Sequence, residues 1–140
     1  MRLWTITLAT LCLSLATLLS GCVEKAANHP FQGIWAVDYA ASERTLHRYA
    51  QEEKLNKADT DYFLSLAKNS VIEYAINSSK IYLMNILLEK KAIAYRQINP
   101  TTWKACAVVS KTCDTIGLLD DDIISVEGED GSVIILNRLQ

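Results

Sequence analysis

The segment that follows residue 30 alternates between two faces, as a β-strand does. Residues 31–37 place Phe31, Gly33, Trp35 and Val37 on one face, and this period of two predicts a first strand. The period of two ends at Asp38, and the pattern of the next thirty or so residues is different.

Two stretches follow a helical period, the first over residues 40–55 and the second over residues 60–67. The first has one narrow apolar stripe, formed by Leu46, Tyr49 and Ala50. The second has a stripe formed by Tyr62, Phe63, Leu66 and Ala67. Asp59 or Thr60 is the expected N-cap of the second helix, because a short polar side chain satisfies the free amides of a first turn.

After Asn69 the period returns to two, and turn residues divide the rest of the chain into about six strands. The turns are expected at residues 77–80, 89–91, 99–100 and 130–131. The strands are expected at residues 71–76, 81–88, 92–98, 102–109, 122–127 and 132–139. The predicted core contains Trp35, Tyr74, Leu83, Ile93, Trp103, Val108, Ile124, Ile134 and Leu136.

This order of elements predicts the fold class. A strand, two helices and then an antiparallel meander of about six strands describe an α+β domain that forms a sheet or a partly open barrel. Such a sheet must close on itself or cover one face with the helices, since an exposed apolar face is unstable in water.

The beginning of the chain has a different composition. Arg2 is its only charge, residues 3–19 are uncharged, and Ser20-Gly21-Cys22 follows. A positive start, an apolar run and small residues before a cut predict a secretory signal peptide. A signal anchor is the alternative, because the apolar run is at the lower edge of the length that spans a bilayer.

Leu19-Ser20-Gly21-Cys22 resembles the lipobox of bacterial lipoproteins. The resemblance implies that Cys22 is the first mature residue and carries a diacylglycerol thioether and an N-linked acyl chain such as palmitate. In the sorting rule of that family, Val23 in place of an aspartate implies the outer membrane, and we expect the periplasmic face. The chain then divides into a signal peptide (1–21), a lipidated cysteine and tether (22–30) and one globular domain (31–140).

The net charge and the cysteines give further evidence about the class of protein. The net charge of −2 argues against a nucleic-acid-binding protein, which normally carries a basic face. In an exported domain, Cys106 and Cys113 are expected to form a disulfide, and two buried free thiols are the alternative.

Gly33-Ile34-Trp35 resembles the G-x-W element of lipocalins and related calycin barrels. The resemblance implies a barrel closed at one end by Trp35, with Arg138 from the last strand lying across the tryptophan ring. The two helices that follow the first strand depart from the lipocalin pattern of consecutive strands. The alternative is an ordinary core tryptophan and a surface arginine.

Residues 112–137 contain seven acidic residues and no basic one. We expect an acidic face that attracts a basic partner. Its members are Asp120, Asp121, Asp122, Glu127, Glu129 and Asp130. A calcium loop is not expected, because the alternating ligands and the glycine of such loops are missing around Asp121. A solvated loop before a strand is the simpler interpretation.

The sequence contains no nucleotide-binding or hydrolase motif. His29 is placed in the tether, and Glu43 and His47 are expected to form an exposed pair on the first helix rather than a metal site. We therefore expect a protein that is not an enzyme and uses neither cofactor nor metal.

The leading hypothesis is a periplasmic lipoprotein that acts as a non-catalytic protein-binding or envelope accessory module, docking at a free sheet edge or across the acidic face. The alternative is a carrier of a small apolar ligand in a lipocalin-like barrel. For that alternative, small inward residues should surround a cavity of about 300 Å³ or more. The candidates are Ala75, Ala92, Ala94, Ala105 and Ala107.

Overall fold

The computed structural model describes residues 28–139 and has the predicted α+β class, with two helices and an antiparallel sheet. The helices are α1 (Tyr39–Glu52) and α2 (Lys57–Lys68). The strands are β1 (Gly33–Val37), β2 (Ser70–Tyr74), β3 (Ser78–Leu83), β4 (Ile86–Asn99), β5 (Thr102–Ala107), β6 (Cys113–Asp120), β7 (Ile123–Glu127) and β8 (Val133–Arg138).

The eight strands form a closed barrel in which each strand pairs antiparallel with the next one. The barrel closes between β1 and β8, where Trp35 lies opposite Arg138 and Val37 lies opposite Leu136. The structure therefore contains eight strands, whereas the sequence predicted about seven. In place of the predicted sheet or partly open barrel, it has a closed barrel in which every strand pairs with two neighbours.

Two of the sequence predictions for strands are wrong. The sequence predicts no strand between residues 110 and 121, but residues 113–120 form β6, in which Ile116 is buried and Leu118 packs against the core. Residues 81–88 were predicted as one strand, but they form a hairpin that turns at Met84 and Asn85. The charged residues 89–91 lie within β4 instead of interrupting it.

The β3–β4 hairpin turns through two residues that both have a positive φ. The φ angles are 49° for Met84 and 66° for Asn85. A two-residue hairpin of this kind normally has Asn-Gly, because both positions must adopt the left-handed conformation. A methionine gives no such signal, and this is why the turn was missed.

Side chains alternate between the barrel interior and its outer surface. On β5, Trp103, Ala105 and Ala107 are buried, and the residues between them are partly exposed. Of the predicted core, six residues are buried: Trp35, Tyr74, Ile93, Trp103, Ile124 and Leu136. Leu83 and Ile134 are half-buried. Val108 is 48% exposed, because β5 ends one residue before it.

Helix α1 packs against the outside of β8. Asp38 caps α1 by accepting a hydrogen bond from the amide of Ala41. One turn later, the buried hydroxyl of Ser42 accepts from the amide of Ile135 at 2.9 Å. The helix therefore provides a hydrogen-bond partner for the amide of Ile135, in the part of β8 that lies beyond the end of β1.

Helix α2 differs from its predicted cap and stripe. Its N-cap is Asn56, whose side chain accepts from the amide of Asp59, so Asp59 lies in the first turn. The buried residue of α2 is Leu64, whereas Tyr62 is 67% exposed. In α1, Leu46 and Ala50 are buried as predicted, but Tyr49 is 40% exposed and stacks on Phe63.

The predicted disulfide between Cys106 and Cys113 is present and joins β5 to β6, with 4.0 Å between the Cα atoms. Closing so short a loop stabilises the fold by about 2.5 kcal/mol in the chain-entropy model. Neither of the two helices within residues 28–139 is long and apolar enough to cross a membrane. The signal peptide, the lipobox and Cys22 lie outside the described residues.

Candidate functional site

One end of the barrel is filled by the segment that precedes β1. Phe31 is fully buried, and its ring meets the edges of Tyr74, Tyr95 and Trp103 at centroid distances of 5.4 to 5.9 Å. Below, this end is called the closed end. It carries residues 28–32 together with the β4–β5 and β6–β7 turns.

His29 packs into the same aromatic group, although sequence reasoning placed it in the tether. It is 3% exposed and stacks on Phe31 at 3.9 Å. Its Nε2 donates a hydrogen bond to the carbonyl oxygen of Ala75 at 2.7 Å, and its Nδ1 is buried without a partner among the described residues. Burial lowers the pKa of His29. The packed part of the chain thus reaches back to His29.

Trp35 and Arg138, which the sequence analysis paired, are in contact at the closed end. The guanidinium carbon of Arg138 lies 4.3 Å from the centroid of the Trp35 ring. The Nε of Arg138 also lies 3.3 Å from a carboxylate oxygen of Asp122. The indole of Trp35 is fully buried and donates to the carbonyl oxygen of Phe31 at 2.8 Å.

A cavity of about 300 Å³ lies inside the barrel above this aromatic group. Its wall is mainly aliphatic, and Tyr74 contributes a side chain that also contacts Phe31. The apolar part of the wall contains Ile72, Ile81, Ile93, Ala105, Ala107, Val126 and Ile134. Thr112, Gly128 and Ser132 line it where β5 meets β6 and β7 meets β8, and this end is called the open end below.

Two charged residues, Lys91 and Asp114, line the cavity and are exposed to solvent. The Lys91 ammonium lies 2.5 Å from a carboxylate oxygen of Glu89. Desolvation raises the pKa of Asp114, Lys91 lowers it by a smaller amount, and the charges of Glu129 and Asp130 raise it. Burial also raises the pKa of Tyr74, and the charge of Asp114 adds to this effect.

Only some of the residues that were predicted to be small and inward-facing line the cavity, because successive side chains of a strand point to opposite faces of the sheet. Ala105 and Ala107 line the cavity. Ala92 and Ala94 are exposed, because Ile93 between them points inward. Ala75 lies in the turn after β2 and is not part of the lining.

The predicted acidic face is divided between the two ends of the barrel. Asp120, Asp121 and Asp122 lie at the closed end, and Glu127, Glu129 and Asp130 lie at the open end. The five residues of β7 separate the two groups by about 16 Å of strand. Glu129 accepts a hydrogen bond from the amide of Cys113, and Asp130 accepts from the amide of Ser132. These acids therefore stabilise local turns and do not form one continuous face.

Glu43 and His47 form the predicted exposed pair on α1, with 3.7 Å between Nε2 of His47 and a carboxylate oxygen of Glu43. Within residues 28–139, no group of three or more histidine, cysteine or acidic side chains comes together in a metal-binding arrangement. The barrel cavity combines an apolar wall with a few polar groups around open space.

No protein-family model, no curated protein and no solved structure matches this chain. The interpretation of the cavity therefore depends on the geometry of the chain itself and on the short resemblance around Trp35.

Proposed function

We propose that this protein is a non-catalytic carrier of a small, largely apolar molecule, which it holds inside the barrel. The observation that carries the proposal is the cavity of about 300 Å³, which has a mainly aliphatic wall and two alanines, Ala105 and Ala107, on β5. Small-molecule sites are typically concave, apolar and supplied with a few polar groups, as this one is.

The size of the cavity limits the ligand. Liquid water occupies about 30 Å³ per molecule, so the cavity has room for roughly ten non-hydrogen atoms. Each methylene that such a ligand buries contributes about 0.8 kcal/mol. A short alkyl chain or a single ring with a polar substituent fits these limits, whereas a long acyl chain is too large.

The closed end supports a carrier rather than a channel. Phe31 and Trp35 fill the barrel below the cavity, and Arg138 lies across Trp35. A ligand therefore enters and leaves at the open end, between the β5–β6 and β7–β8 turns. The same contact between Trp35 and Arg138 is what the resemblance to lipocalins implies.

The proposed location follows from the lipobox. Lipidation of Cys22 would hold the barrel at the periplasmic face of the outer membrane, because two or more acyl chains anchor a protein firmly. The Cys22→Ser variant is then expected to leave the membrane fraction. A mature variant that still sediments with membranes would contradict this part of the proposal.

Titration calorimetry with 1-octanol tests the carrier function. We expect saturable one-to-one binding to the full chain. Ala105→Leu should weaken binding about tenfold, because the added side chain takes the space of roughly two ligand methylenes. Ala94→Leu is the matched control, since Ala94 is exposed on the neighbouring strand, and it should bind as the unchanged chain does. Absence of binding, or equal weakening by both variants, would contradict the proposal.

A protein partner is the second candidate function, and one observation favours it. The β3–β4 hairpin exposes four consecutive or nearly consecutive aliphatic side chains, and contiguous apolar patches are typical of protein-binding surfaces. They are Met84, Ile86, Leu87 and Leu88, which are 49% to 72% exposed. Ile86→Ser with Leu88→Ser should abolish capture of a specific envelope protein, and Ile98→Ser, at the far end of β4, should not. Equal capture by both variants would contradict a role for the hairpin.

A further inference from the structure

The cavity carries an excess of negative charge where it meets solvent. Asp114 pairs with Ala105 across the β5–β6 ladder, so its side chain lies on the same inner face of the barrel. Glu129 and Asp130 lie near enough to raise its pKa. A ligand that enters here therefore passes three carboxylates on β6 and the β7–β8 turn.

Lys91, the one basic residue of the cavity wall, lowers the pKa of Asp114 but offsets only part of the effect that raises it. The ammonium of Lys91 is bound by Glu89 on its own strand. None of the ion pairs within residues 28–139 contains Asp114. Desolvation is the largest cause of the raised pKa of Asp114, which is the expected behaviour of a carboxylate that borders an apolar wall.

Tyr74 provides a second, independent polar group inside the cavity. It is 7% exposed and lines the cavity, and no hydrogen bond to its hydroxyl is found among the described residues. Its neighbour Tyr95 differs, because the Tyr95 hydroxyl donates to the carbonyl oxygen of Ser78 at 2.9 Å. The Tyr74 oxygen is thus available to accept a hydrogen bond from a ligand.

We propose that the ligand of the barrel is an apolar amine, whose ammonium group is held by the Asp114 carboxylate and the Tyr74 side chain while its hydrocarbon part lies against the aliphatic wall. This proposal rests on the carrier function and specifies its ligand class. A charge-assisted hydrogen bond from an ammonium to a carboxylate is stronger than a neutral one, and Asp114 lies where the cavity wall meets solvent.

The test compares three probes of equal chain length by titration calorimetry on the full chain: octylamine, 1-octanol and octanoate. Each contains about as many non-hydrogen atoms as the cavity accommodates. We expect octylamine to bind at least tenfold more tightly than octanoate. High ionic strength should weaken octylamine binding and leave 1-octanol unchanged, because salt screens only the charged interaction.

Variants separate the two proposals. Asp114→Asn should weaken octylamine at least fivefold and change 1-octanol by less than twofold, whereas Asp121→Asn, which removes the same charge at the closed end, should change neither. Equal affinity for all three probes would overturn the amine preference and leave the carrier function standing. Absence of binding by every probe would overturn both. If Asp114→Asn does not fold, the effect of ionic strength on the unchanged chain decides the question.

Discussion

Arg138 lies over the ring of Trp35 and, from the same guanidinium group, donates hydrogen bonds to the backbone of the segment that closes the barrel. It reaches the carbonyl oxygen of Gln32 at 2.7 Å and that of Pro30 at 3.2 Å. It also donates to the carbonyl oxygen of Asp121 at 3.2 Å. The last strand is thus joined through one side chain to the first strand, the preceding segment and the β6–β7 turn.

Arg138→Ala should lower the free energy of unfolding by about 2–4 kcal/mol, because it removes several charge-assisted hydrogen bonds and the contact with the tryptophan ring. Arg138→Lys should lower the free energy of unfolding by a smaller amount, because lysine keeps the positive charge. It should still be destabilising, because lysine lacks the planar guanidinium group. Arg96→Ala, an exposed arginine on β4, is the control and should change stability by less than about 0.5 kcal/mol. Urea denaturation measures all three, and equal effects of Arg138→Ala and Arg96→Ala would contradict the role of Arg138.

Gly33→Ala should destabilise the protein for two reasons. Gly33 has a φ of 137°, and an added Cβ would lie 2.8 Å from Nη1 of Arg138. We expect a loss of about 2–3 kcal/mol in urea denaturation. Gly131→Ala is the matched comparison, because Gly131 also has a positive φ, 78°, but a Cβ added there meets no atom of the described residues within 4 Å. The Gly131→Ala variant should lower the free energy of unfolding by only about 1 kcal/mol. Identical losses would show that the approach of Arg138 to Gly33 is unimportant.

Acidification should destabilise the closed end through His29. Burial lowers the pKa of His29 in the folded protein below the ordinary value of 6.5, so the unfolded chain binds the proton more readily. Stability is therefore full above pH 6.5, falls as the pH drops below that value, and levels off below the folded-state pKa. The buried Nδ1, which has no hydrogen-bond partner among residues 28–139, is the atom that would have to accept the proton.

Thermal unfolding between pH 7.5 and pH 5 measures this dependence. His29→Phe should reduce the loss of stability on acidification, because the phenyl ring keeps the stacking on Phe31 and cannot be protonated. His47→Gln should leave the loss unchanged, since His47 is exposed on α1. If His29→Phe retains the full loss and His47→Gln reduces it, the assignment to His29 is incorrect.

Substitutions in the β3–β4 turn should stabilise the protein. Met84→Asn with Asn85→Gly places the preferred residues at two positions of positive φ, and we expect a gain of about 1 kcal/mol in urea denaturation. Met84→Ala with Asn85→Ala keeps the strained backbone and should lower stability instead. A loss with Asn-Gly would contradict the two-residue turn.

The sequence predicted the parts of the fold that have a strong local signal. The helices, the strands on either side of Asp130-Gly131, and the turn at Asn99-Pro100 are where the pattern placed them. Strand β6 was missed because Asp114 and Thr112 occupy inward positions and break the expected alternation with Ile116. Those inward polar residues belong to the cavity, so the pattern failed where the interior is not a solid core.

The candidate site was predictable only in part. Trp35 and Arg138 were identified from a short resemblance, and Ala105 and Ala107 from their size. Which alanines face inward depends on the register of β5, and the burial of His29 depends on the aromatic rings that surround it. Neither the register nor those long-range contacts can be derived from local sequence patterns.

The most direct measurement of the central claim is a methyl NMR titration of alanine-labelled protein with 1-octanol. The account predicts that the methyl signals of Ala105 and Ala107, which line the cavity, shift in a saturable manner. The signals of Ala92 and Ala94, which lie on the outer surface of the adjacent strand, should remain in place. Shifts at the outer alanines alone, or no shift at any of the four, would contradict a ligand inside the barrel.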